Sequence, residues 1–139
     1  MIDDFAHHPT AVRETIEAIH ERYPDRRLWA VFEPRSNTSR RNIHQKEYAA
    51  SFVDADLATI REPEPHDKVP AEQQLSVGTI VKELNAQGIV AESSADVPEL
   101  VRRVGDNARP GDLILVMSNG AFGGFIPLLL ERLGRRFKS

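Results

Sequence analysis

Two uninterrupted apolar runs, Leu28-Trp29-Ala30-Val31-Phe32 and Leu113-Ile114-Leu115-Val116-Met117, most constrain what this chain can fold into. Each is far too short to cross a membrane. Neither alternates as a strand with one wet face would, so both read as strands covered on both faces, the signature of a parallel sheet between helical layers. Shorter strand-like pieces fall at residues 1–5, 56–61 and 89–91. Amphipathic helical segments separate them.

The helical segments carry their own punctuation. Pro9 suits the first turn of a helix, and Val12, Ile16, Ile19 and Tyr23 then recur at helical spacing until Pro24. A short helix is expected over residues 42–51. Ser76 starts a helix with Val77, Ile80, Val81 and Leu84 inside, and Gly88 ends it in the left-handed conformation. Asp96 with Glu99 makes a capping-box-like start for a helix lined by Val97, Leu100, Val101 and Val104. After a turn at residues 109–112 and the second long apolar run, a last helix is expected to bury Ile126, Leu129, Leu130 and Leu133. Residues 62–74, with Pro63, Pro65 and Pro70, read as a surface loop.

Strand and helix therefore alternate along the chain. The expected fold is α/β: a three-layer, Rossmann-like domain whose mostly parallel sheet has five or six strands, with helices on both faces. At 139 residues this is a single domain, spanning residues 1–139.

Composition narrows the function. Eighteen basic against twenty-one acidic residues leave a net charge of −3, which argues against a general nucleic-acid or acidic-membrane binder. With no cysteine, a disulfide scaffold, a thiolate metal site and a cysteine nucleophile are all excluded. Lacking a basic stretch followed by an apolar one, the N-terminus does not read as a signal peptide, so a soluble, cytoplasmic protein is expected. No ligand-like spacing joins His20, His44 and His66 to the His7-His8 pair, so no metal site is expected. Fourteen of the eighteen basic residues are Arg, whose planar fork suits carboxylates and phosphates.

Ligands of open α/β sheets collect at the carboxyl ends of the strands. Three loops of unusual composition leave strands there. The first, Asp4-Phe5-Ala6-His7-His8-Pro9, brings a carboxylate and two imidazoles to a helix start. The second, Arg35-Ser36-Asn37-Thr38-Ser39-Arg40-Arg41, packs three guanidiniums and four small polar side chains into seven residues. The third, Ser118-Asn119-Gly120-Ala121-Phe122-Gly123-Gly124, is a glycine-rich turn into a helix. No Gly-x-x-x-x-Gly-Lys-[Ser/Thr] occurs, so the chain has no phosphate loop of that type. From the residues alone, a solvated turn and an anion-recognising loop fit the Arg-rich segment equally well.

These loops carry a resemblance. Asp3-Asp4-Phe5-Ala6-His7-His8-Pro9-Thr10 resembles the Asp-Asp-Tyr-x-His-His-Pro signature that opens the C-terminal domain of Mur ligases. Val31-Phe32-Glu33-Pro34-Arg35-Ser36-Asn37-Thr38-Ser39-Arg40-Arg41 departs from the L-alanine-adding branch, which has a Phe-Gln-Pro-His-Arg-Tyr-Thr-Arg-like loop. It is similar instead to the members that add a peptide, as is Asp112-Leu113-Ile114-Leu115-Val116-Met117-Ser118-Asn119-Gly120-Ala121-Phe122-Gly123-Gly124.

The resemblance implies an ATP-dependent amide-bond ligase of peptidoglycan recycling. In this family ATP phosphorylates a substrate carboxylate, and an incoming amine displaces the phosphate. The implied substrates are UDP-N-acetylmuramate and the murein tripeptide L-Ala-γ-D-Glu-meso-diaminopimelate. The phosphate cradle and the Mg ligands are implied to lie in a central domain, and the UDP site in an N-terminal domain, both outside these residues. By motif, Asp4 would accept from the ATP ribose hydroxyls and His7 would sit against the nucleotide, while His8 and Pro9 shape the helix start. Arg35, Ser36, Asn37, Thr38 and Arg40 would hold the tripeptide's carboxylates, with Arg41 toward solvent or the helix. Ser118, Asn119 and the backbone near Gly120 would hold another carboxylate or the amine end. No catalytic residue is expected here, nor activity from the domain alone. An L-alanine-adding domain and a free-standing small-molecule or anion-binding domain are the competing readings.

Overall fold

The computed structural model describes residues 2–4, 9–33, 45–61, 77–94, 96–117 and 124–136. In chain order these form β1 (Ile2–Asp4), α1 (Pro9–Arg22), β2 (Leu28–Phe32), α2 (Gln45–Ser51), β3 (Leu57–Arg61), α3 (Val77–Ala86), β4 (Val90–Ser94), α4 (Val97–Asn107), β5 (Leu113–Met117) and α5 (Phe125–Arg136). The five strands form one sheet in the order β1-β5-β2-β3-β4, and every neighbouring pair is parallel. A sixth strand does not occur among the described residues.

The two apolar runs are the interior strands β2 and β5, and every residue of both is buried. Their side chains alternate between two cores. Leu28, Ala30, Phe32, Leu113, Leu115 and Met117 join α1, α2 and α3 on one face. Trp29, Val31, Ile114 and Val116 join α4 and α5 on the other. Burying both faces is what requires an apolar residue at every position.

Edges obey a different rule. On β4, Val90 is 64% exposed and only Ala91 is buried, so the strand runs on through Glu92, Ser93 and Ser94, beyond the apolar stretch 89–91. Its free edge is capped by a side chain: Asn85 donates to Ala91 O (3.2 Å) and accepts from Ala91 N (3.0 Å). That amide takes backbone groups which an exposed strand would otherwise offer to another chain.

The helix ends follow from named residues. Gly88 has φ of +91° and donates to Asn85 O, while Ile89 donates to Leu84 O, a Schellman closure that lays Ile89 against Leu84. At α4 the capping box is half formed. Asp96 accepts from Glu99 N at 3.3 Å, but the Glu99 carboxylate turns to Arg102 and Arg103, and the Asp96 N–H goes to Ser94 Oγ. Hydrogen bonds from Arg102 and then Arg103 hold the Glu99 carboxyl below its ordinary range. On α5 the expected stripe is partly wrong. Phe125 and Leu129 are buried, Ile126 and Leu133 are half-buried, and Leu130 is 54% exposed. At about 100° per residue, a stripe centred between Phe125 and Leu133 leaves Leu128 and Leu130 on its two shoulders.

The amino end of the sheet is tied by charge. Arg27, just before β2, forks onto Asp112, just before β5, at 2.9 and 2.5 Å. Asp112 also accepts from Arg109 N at 2.8 Å. Burial acts to raise the Asp112 carboxyl, but the Arg27 fork and the Arg109 N–H outweigh it and hold the group below its ordinary range.

A doubly wound edge as candidate functional site

The sheet places the functional edge before any side chain is considered. α1 and α2 leave the carboxyl ends of β1 and β2 for one face, while α5 leaves β5, the strand between them, for the other. The cause is α4, which carries the chain back across the opposite face and inserts β5 between β1 and β2. Where neighbouring strands send their helices to opposite faces, the loops part and leave a crevice at the carboxyl edge. Here the strand order gives such a switch point on each side of β5.

The ends of these strands lie in one row. Asp4 pairs with Met117, and Met117 with Phe32. The segments beginning at residues 5, 118 and 34 therefore leave adjacent strands at one edge, and these are the three loops marked by the sequence. Asp4 is the last residue of β1; its side chain is outside the description. Pro9 opens α1 as expected. His7, Arg35, Ser36, Asn37, Thr38, Arg40, Ser118, Asn119 and Gly120 lie outside the described residues, as do His8 and Arg41.

What the described residues add is the footing of the Arg-rich segment. At its start, Phe32 is fully packed, its ring 5.3 Å from that of Tyr48 and 5.9 Å from that of Phe52. Tyr48 lies in α2 and Phe52 just beyond it, so this aromatic cluster fixes α2 to β2. Glu33 follows. Its N–H donates to Met117 O at 3.0 Å, extending the β2–β5 ladder by one residue. Its carboxylate, 4% exposed as a residue, is paired with the Arg61 guanidinium at the end of β3.

This pair was not singled out in the sequence. The two residues are 28 apart, and only the strand register makes them opposite. A charged residue closing each of two consecutive strands is the sole sequence signal.

Between α1 and α2, beside the same edge, Thr10, Arg13, Glu47, Ala50 and Ser51 line a shallow cleft of about 180 Å³. An open groove of about 370 Å³ lies at the opposite end of the sheet, but its Arg27 fork is already taken by Asp112. Among the described residues, no group of three or more His, Asp or Glu side chains is arranged to hold a metal ion, and no helix is long and apolar enough to cross a membrane.

A doubly wound parallel sheet with a switch in strand order at its centre defines a Rossmann-like α/β domain. The particular family is settled by comparison. Residues 1–120 match the Mur ligase, glutamate ligase domain, and the chain belongs to that family. It is 40% identical over 135 residues to the UDP-N-acetylmuramate–L-alanyl-γ-D-glutamyl-meso-2,6-diaminoheptandioate ligase of Escherichia coli (strain K12), an alignment covering 96% of this chain and 27% of that protein. The crystal structure of a murein peptide ligase from Psychrobacter arcticus 273-4 superposes with a TM-score of 0.77 at 35% identity, covering 94% of this chain and 26% of that one. A domain structure from a UDP-N-acetylmuramate:L-alanyl-γ-D-glutamyl-diaminopimelate ligase of Haemophilus ducreyi 35000HP superposes at 0.70 and 41% identity, covering 94% of this chain and 88% of that one. The chain thus spans about a quarter of the length of the curated relative it matches.

Proposed function

We propose that this chain is the C-terminal, substrate-presenting domain of a cytoplasmic, ATP-dependent ligase. That ligase joins the tripeptide L-Ala-γ-D-Glu-meso-diaminopimelate to UDP-N-acetylmuramate. The observation that carries the reading is the strand row Asp4–Met117–Phe32, from which all three motif-bearing segments depart at the switch in strand order.

The division of labour follows from what this chain offers. A strand-end carboxylate at Asp4 beside the start of α1 suits the hydroxyl edge of a ribose, with His7 against the nucleotide. There is no phosphate-loop pattern in the sequence, so the ATP phosphates and Mg belong to the rest of the protein. The chemistry ATP supplies when bound is activation of the muramyl carboxylate. The residues here bind and orient. The Arg35–Arg40 segment, with Ser36, Asn37 and Thr38 between, grips the peptide's carboxylates, and Ser118, Asn119 and the Gly120 backbone take a further carboxylate or the amine end. The partners of this domain are then the central and UDP-binding domains of its own polypeptide.

The Arg-rich segment is the discriminating test. On a solvated turn, Arg→Lys keeps the charge and changes little, within about 0.5 kcal/mol. At a bidentate carboxylate site Lys cannot reproduce the fork. In the full-length protein, Arg35→Lys with Arg40→Lys is expected to lower kcat/KM for the tripeptide at least tenfold, about 1.4 kcal/mol, with little change in the KM for ATP. Wild-type peptide kinetics in the double variant would return the segment to a solvated turn.

A further inference from the structure

Trp29, Leu57 and Val90 lie side by side across β2, β3 and β4, on the face that α4 and α5 cover. Burial falls off along this row: Trp29 is buried, Leu57 is half-buried and Val90 is 64% exposed. The cause is the path of α4. It leaves the carboxyl end of β4 and ends at Asn107, before β5, so it crosses the sheet obliquely and leaves the amino ends of β3 and β4 bare. The open groove of about 370 Å³ noted above lies there, with Leu57 and Val90 among its apolar lining and Glu92, Asn107 and Arg109 among its polar one.

An exposed β-branched side chain beside a groove with apolar lining supplies both a knob and a hole. A two-fold interface needs both from one patch, because each copy presents the same surface to the other. The edge-to-edge route is closed at the centre of β4. Asn85 takes both backbone groups of Ala91, so a second chain has to approach the face. The charges around the groove are self-complementary as well. Arg27 is forked onto Asp112, but the Arg109 guanidinium has no hydrogen bond or ion pair among the described residues; only its backbone N–H is engaged, by Asp112. Glu92, on β4, has its one ion pair among the described residues with Arg103, at 3.5 Å.

We propose that this face binds a second copy of the chain. The amino ends of the two β3–β4 faces stack about a two-fold axis, and Val90 of each copy enters the groove of the other. Stacked sheets lie about 10 Å apart, close to the diameter of a helix, so each β4 fills the space beside the other copy's α4. Arg109 of one copy then pairs with Glu92 of the other, twice over by symmetry.

Sedimentation velocity on the full-length protein, from about 1 to about 100 µM, reads the mass directly, and the expected result is a dimer whose share rises with concentration. Val90→Lys drives a charge into the stacked row and gives monomer throughout. Its circular dichroism matches wild type, because the side chain it replaces is largely in water. Val90→Ser removes the knob without adding charge and raises the dissociation constant at least tenfold. Arg109→Ala and Glu92→Gln each raise it about threefold or more, and the double variant is no weaker than the worse single, because both changes remove the same pair.

A monomer at about 100 µM, or a dimer that Val90→Lys leaves intact, would overturn the proposal. So would Arg109→Ala and Glu92→Gln losses that are absent or that multiply, since that pair is the ground for choosing a second copy over any other occupant.

Discussion

Replacing Phe32 by Ala destabilises the domain by about 3–5 kcal/mol, the range for removing a fully packed Phe from a core. Phe32 is 1% exposed and its ring meets both Tyr48 and Phe52, so its loss leaves a cavity among packed side chains. The loss does not stay in the core. Phe32 ends β2 at the carboxyl edge, and the same aromatic contacts hold α2, the next described element after the Arg-rich segment. A cavity here loosens both ends of that segment at once. Urea unfolding of the 139-residue chain measures the effect. The expected result is a lower midpoint with an unchanged slope. A loss below about 1 kcal/mol would mean that the cluster is not the anchor.

The second large effect is on nucleotide binding. Asp4 ends β1 beside Met117, on the far side of β5 from β2, the strand that leads into the Arg-rich segment. On the proposed reading, Asp4→Ala in the full-length protein removes a charged acceptor for ribose hydroxyls, a change of about 1.5–3 kcal/mol. That is roughly a tenfold to hundredfold rise in the KM for ATP, with the tripeptide KM nearly unchanged. The separation of the two effects matters more than either size, because the proposal puts nucleotide and peptide on opposite sides of β5. Steady-state kinetics in which Asp4→Ala left the ATP KM unchanged and moved only the peptide KM would invert the assignment.

How much of this could be read from the amino acids depended on where each segment lies. The interior strands were plain because burial on two faces demands continuous apolar runs, as in Leu28–Phe32 and Leu113–Met117. The edge strand β4 was plain only at residues 89–91, since Glu92, Ser93 and Ser94 lie along a wet margin and carry no apolar signal. Helix α5 misled in phase: Ile126, Leu129, Leu130 and Leu133 form a sound i, i+3, i+4, i+7 face, but the buried face turns toward Phe125 and leaves Leu130 outside. The loops that carry the motifs were recognisable from their own residues. A parallel sheet puts all three at its carboxyl edge, but the order that makes their strands neighbours was not legible, because it depends on α4 returning the chain to place β5 between β1 and β2. The Glu33–Arg61 pair was hidden for the same reason. A contact between residues 28 apart appears only once two strands are in register.

The most direct test of the account is the choice of amino acceptor. Full-length protein is supplied with ATP, Mg and UDP-N-acetylmuramate together with equal concentrations of L-alanine and of L-Ala-γ-D-Glu-meso-diaminopimelate, and the nucleotide-linked products are resolved by mass. The expected product is the tripeptide adduct. On the proposed reading, a second carboxylate-gripping fork contributes roughly 1.5–3 kcal/mol that a lone alanine cannot use, so kcat/KM for the tripeptide should exceed that for alanine at least tenfold. A product formed mainly from L-alanine, or no adduct of either kind, would contradict it.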